Sequence, residues 1–145
     1  MVVSERMVRT QQEPMANKAR RDGTDAETKV KRYAISRGYR YAKLLRQEGA
    51  VDKGDVHLGD GYPVCMEVKG GQKAVTQIGT HVREMIVETA NSKSETGVVI
   101  AKKARSADVG EWYAVMPVAM WFDLVERLYP PPQRRRVRII TSRTG

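Results

Sequence analysis

Apolar positions along this chain switch between two periods. Ala26, Val30, Tyr33 and Ala34, with Arg37 extending the row, recur at helical spacing, and Gly38 supplies a stop. Thr24 and Glu27 match a capping box, which predicts that the helix begins at Thr24. The pattern from Tyr39 to Gln47 is that of a strand. Two shorter strands are expected at Asp55–Leu58 and Pro63–Lys69, joined by the turn residues Gly59, Asp60, Gly61 and Tyr62. In the second of these, Val64, Met66 and Val68 point to one face and Cys65, Glu67 and Lys69 to the other. A helix over about Ala74–Ser92 follows, apolar at Val75, Ile78, Val82, Met85, Ile86 and Thr89. Gln77, His81, Glu84 and Glu88 form a polar stripe beside that face. Two further strands are expected, 96–106 and 111–117, and then a helix over 118–129 that Pro130, Pro131 and Pro132 end.

This order, α-β-β-β-α-β-β-α, predicts an α/β protein with a central mixed five-stranded sheet flanked by helices. Residues 1–23 are polar and aperiodic, which predicts a flexible basic arm. Residues 24–129 hold the domain, and residues 130–145 form a basic tail.

A chain of 145 residues suits one domain with a modest core. Its 26 Lys and Arg against 17 Asp and Glu give a net charge of +9, which favours an anionic partner, nucleic acid first. Phosphate contacts are expected from Arg20, Arg21, Lys29, Lys73, Lys102, Lys103, Arg134, Arg135 and Arg136. A single cysteine, Cys65, excludes an internal disulfide and reads as an apolar filler. No apolar run approaches a membrane span, and the N-terminus carries charges where a signal peptide needs an apolar core. A cytoplasmic protein is expected.

The odd feature is Glu67 and Lys69 on one face of a strand. Asp55 lies twelve residues before Glu67, across a tight turn. A hairpin there brings both carboxylates to one point, where they repel each other unless a cation intervenes. Hard oxygen ligands suit Mg²⁺, with Mn²⁺ able to substitute. Lys69 then stands ready for a water or a phosphate, an arrangement suited to phosphodiester hydrolysis. The plain alternative is a solvated Glu–Lys pair.

"GDV", then "CMEVKG", preceded by a helix with Glu27 near its expected start, resembles the PD-(D/E)XK nuclease superfamily, and within it the archaeal-type Holliday junction resolvases. The likeness covers about Thr24 to Ser92. It implies a restriction-endonuclease-like core, metal held by Asp55, Glu67 and the Val68 carbonyl, Lys69 as the catalytic lysine, and Glu27 as a further catalytic acid. Gln77, on the next helix, would orient water or phosphate. Where the family has a proline before the Asp, this chain reads "KGD". The resemblance implies a DNA endonuclease acting on four-way junctions, leaving 5′-phosphate and 3′-hydroxyl ends. Symmetric cutting of a junction needs two sites and so a homodimer. Small size and a basic tail suit a phage or mobile-element protein. Alternatives are another nuclease of the superfamily, of replication-repair or restriction type, or a non-catalytic DNA-binding protein. His57 and His81 are candidates for lesser roles.

Overall fold

A computed structural model describes residues 6–46 and 51–132, with side chains from Met15 onward. The elements are helix α1 (Arg6–Ser36), strands β1 (Lys43–Leu44), β2 (Val56–His57) and β3 (Val64–Lys69), helix α2 (Ile78–Asn91), strands β4 (Thr96–Ala101) and β5 (Tyr113–Val115), and helix α3 (Val118–Leu128). The strands form one five-stranded sheet in the order β1-β2-β3-β4-β5. Only β3 and β4 are parallel, joined by α2 as a crossover; the other pairs are antiparallel. The protein is thus α/β, with an open mixed sheet and three helices. No helix among the described residues is long and apolar enough to cross a membrane.

Alternation along β3 sets the two faces of the sheet. Met66 and Val68 join Val56, Val98 and Trp112 under Ala26 and Val30 of α1. Cys65 and Glu67, of opposite parity, lie on the side where α2 packs. There Met85 and Thr89 press on β4 so closely that any side chain at Gly97 would overlap both.

Four boundaries differ most from the sequence expectation. β4 ends at Ala101 rather than 106. α1 does not begin at Thr24. It runs through that position, and the Thr24 hydroxyl donates to the carbonyl of Arg20 at 3.1 Å, one turn back inside the helix. Residues 6–23 are therefore helical rather than an irregular arm. Their Gln, Glu, Ala, Lys and Arg content favours helix without any apolar face to reveal it. β1 shrinks to two residues because α1 ends in a turn. Gly38 adopts φ +105°, its N–H donates to Ile35, and Tyr39 N–H reaches Ala34. α2 starts at Ile78 rather than Ala74, after turns over residues 72–77.

The exit of β3 passes very close to α1. A Cβ on Gly70 would stand 2.5 Å from the Ala26 Cβ and 2.7 Å from the Asp22 carbonyl oxygen. Backbone on both sides leaves little room to yield. Gly70→Ala should lower stability by about 2 kcal/mol in thermal or urea unfolding. Gly71→Ala, where a Cβ meets nothing within 4 Å, is the matched control and should lose much less.

Candidate active site

Asp55 sits at the start of β2, where the ladder with β3 begins. Its N–H donates to Met66 O at 2.9 Å, and Val68 N–H donates to its Oδ2 at 2.8 Å. The carboxylate is therefore pinned to the backbone of β3 beside Glu67. Gly54 makes the approach with φ +92°, and a Cβ there would stand 2.8 Å from Cys65 Sγ. Proline, held near −65°, cannot adopt that backbone. Glycine at this step follows from the local path of the chain.

Glu67 is buried, only 5% exposed. Its Oε1 accepts from Lys69 Nζ at 2.6 Å. Lys69 Nζ also donates to Glu84 Oε2 on α2 at 2.9 Å, so one ammonium is clasped by two carboxylates. Glu67 Oε2 has no partner among the described residues, and neither does Oε2 of buried Glu88. The two carboxyl groups face each other, and a proton shared between them would serve both.

Glu27, Asp55, Glu67, Val68, Lys69, Lys73 and His81 line one open cleft of about 330 Å³, with Ala19, Gly23, Gly70, Gly71 and Ala74. Because Thr24 is no helix cap, no capping box claims Glu27, and its carboxyl group is left to the cleft. Gln77 is exposed and does not line the cleft, since it precedes the first turn of α2 rather than riding on it. His81 lines the cleft, with Nε2 3.4 Å from Lys73 O and Nδ1 3.6 Å from Glu84. His57 serves the β2–β3 turn, where its Nδ1 accepts from Gly59 N–H at 3.1 Å. Glu84 and Glu88 are the residues that sequence reasoning left out of the site. Their place in the stripe with His81 was the available signal, although the stripe alone does not separate them from exposed Gln77.

The electrostatics follow from burial with too few donors. Burial first, then the Glu67 charge, push Asp55 up to about 7, although the Val68 N–H opposes the rise. Burial first, then Glu88, push Glu67 up to about 7 against the pull of Lys69. Burial and the Asp55 charge also raise Glu27. Burial alone would lower Lys69, but its bonds to Glu67 and Glu84 outweigh that and hold it protonated. Lys69 in turn draws Glu84 below its usual range.

Two adjacent carboxyls with raised pKa values and a buried, partnerless oxygen fit a small divalent cation. Among the described residues, no three His, Cys, Asp or Glu side chains gather as a ready metal group. The fitting donors are two carboxylates, with the backbone of Val68 beside them.

The proposed phosphate contacts fall into three groups. Lys29 pairs with Asp25 at 3.0 Å and Lys103 with Glu111 at 3.9 Å. Lys102 lies over the Trp112 ring, 5.9 Å from its centre, and its N–H donates to Lys69 O. Arg20, Arg21 and Lys73 are exposed and have no ion pair among the described residues. Arg134, Arg135 and Arg136 lie outside the described residues.

Comparison with protein-family models, characterised proteins and solved structures finds no match.

The raised carboxyls make a signed prediction for metal-free protein. A folded-state pKa near 7 against an ordinary 3.8 means that Asp55 favours folding at acid pH, and this contribution drains away as pH rises from about 4 through 7. Asp55→Asn removes that penalty. Its melting temperature should exceed the native value by about 4 °C or more at pH 8 in EDTA. The gap should shrink steadily toward pH 5. A gap independent of pH would contradict the raised pKa.

Proposed function

We propose that this chain is a metal-dependent DNA endonuclease with a restriction-endonuclease-like core, and that its preferred substrate is a four-way junction. The observation that carries the reading is the meeting of Asp55, Glu67 and Lys69 in one cleft, with Asp55 locked onto the Val68 N–H. These are the positions on which the sequence resembles the PD-(D/E)XK nucleases. A net charge of +9 supports a polyanionic substrate. The chain's helices and strands follow the order that the resemblance implies.

Asp55 and Glu67, with the Val68 carbonyl, would hold Mg²⁺ or Mn²⁺. Such a cation supplies positive charge that offsets both carboxylates and stabilises charge developing on a phosphate. Lys69, held protonated by its bonds to Glu67 and Glu84, is suited to serve as a positive donor to phosphate or water. Hydrolysis adds a water oxygen to phosphorus and breaks the bond to the 3′ oxygen, which leaves as a hydroxyl after taking up a proton. Glu27, with its raised pKa, is suited to receive the proton that water gives up. Of the expected phosphate contacts among the described residues, Arg20, Arg21 and Lys73 have no ion pair and are available to flanking phosphates. No base-reading module is evident, which favours recognition of DNA shape.

The test is cleavage of four-way junctions, flaps, single strands and linear duplex, with Mg²⁺ and with EDTA. Junctions should be cut best, and EDTA should abolish cutting. Asp55→Asn and Glu67→Gln should reduce cleavage to background, and Lys69→Ala by at least about 10²-fold, with DNA binding retained. Linear duplex cut as readily as junctions would point to a general nuclease of the superfamily. Normal cutting by all three variants would reject the site.

The basic tail gives an independent expectation. Replacing Arg134, Arg135 and Arg136 with Ala should weaken DNA binding and lower the slope of log K against log salt by up to about 3. An unchanged slope would remove these arginines from the phosphate contacts.

A further inference from the structure

Lys69 ends β3, and its flexible four-carbon stem leaves the ammonium free to swing unless something fixes it. Two carboxylates from different layers do so. Glu67, on the same side of the strand, accepts at 2.6 Å, and Glu84, from α2, accepts at 2.9 Å. The two partners differ in kind. The Glu67 side chain is 7% exposed and lines the cleft, whereas the Glu84 side chain is 45% exposed and does not line it. Glu84 is therefore not placed to hold a cation there or to meet a phosphate. α2 aims it at Lys69 all the same. It stands one helical turn from Glu88, which faces Glu67, and one turn from His81, which lines the cleft. Nor is this a loose surface pair. Its length is that of a charge-assisted hydrogen bond, and the Lys69 side chain is only 25% exposed.

Glu67 cannot serve two positive groups equally. On the reading above it holds a divalent cation, which draws on the same carboxylate that Lys69 uses and repels the ammonium. Glu84 is then the partner left to Lys69. We infer that Glu84 is the positioning residue for Lys69, keeping its ammonium at the cleft while Glu67 is engaged with the cation. Its purpose rests on the nuclease reading; the contact itself does not.

The first test is kinetic, on four-way junctions with Mg²⁺. Glu84→Ala should lower kcat about tenfold or more with little change in KM, because the lost bond acts on the reacting end and not on the bound DNA. Glu84→Gln, whose amide oxygen can still accept from Nζ, should fall between Ala and native. Glu95→Ala also removes one exposed acid, here one paired with Arg127, and should leave cleavage unchanged. Added to Lys69→Ala, Glu84→Ala should cost nothing further. The second test needs neither cation nor cleavage. Acetic anhydride should modify Lys69 slowly in Glu67→Gln, read by peptide mass spectrometry against exposed Lys73, and about tenfold or more faster once Glu84→Ala is added. Cleavage by Glu84→Ala at the native rate or faster overturns the inference, as does a full further loss on the Lys69→Ala background or unchanged acetylation. A native chain that cuts no DNA rejects the nuclease reading instead, and acetylation alone then decides whether Glu84 holds Lys69.

Discussion

Everything near the cleft depends on one shortage: buried carboxylates outnumber the donors that face them. Glu67 has one ammonium for one oxygen and nothing for the other. Asp55 has one backbone N–H. In water such groups would repel mildly and part. Here β3 fixes one and the start of β2 fixes the other, so the repulsion is held in place by the sheet. Protons or a cation can relieve it, and both routes run through the same oxygens.

The scaffold that holds the shortage is unusually tight at two glycines. Gly54 lets the chain turn into β2 against Cys65, and Gly70 lets α1 lie almost on the backbone leaving β3. Those contacts put Glu27, from the opposite layer of the fold, at the rim of the same cleft as Asp55. Helix, hairpin and crossover therefore converge at one end of β3, and side chains far apart in the chain become neighbours without any long loop to carry them.

Much of this was legible in the sequence, for physical reasons that can be named. Alternation in β3 separated the core residues Met66 and Val68 from Glu67 and Lys69, because a strand has only two sides. The turn between β2 and β3 announced itself through its glycines, and so the meeting of Asp55 with Glu67 could be expected. What could not be read was helix without an apolar stripe. Residues 6–23 carry helix-forming side chains but no periodic face, and Thr24 offered a plausible false start. The stripe of α2 misled in the other direction. Gln77, His81, Glu84 and Glu88 are equally polar in the sequence, yet only the fold decides that Glu84 and Glu88 turn toward β3 while Gln77 stays outside. Polarity alone does not say whether a helix side meets solvent or a buried acid.

The cleft is also an acidic hole in a basic protein. Glu27, Asp55 and Glu67 line it and Glu84 pairs with Lys69 beside it, while the chain as a whole carries +9. A polyanion drawn in by the outer charge would meet like charge at the very point where reaction is proposed. On that reading the cation is an admission ticket as well as a reagent. DNA could then settle on the outer surface in its absence, but a phosphate would enter the cleft only after the carboxylates had been neutralised. Under the proposed function, charge alone would set binding before cutting.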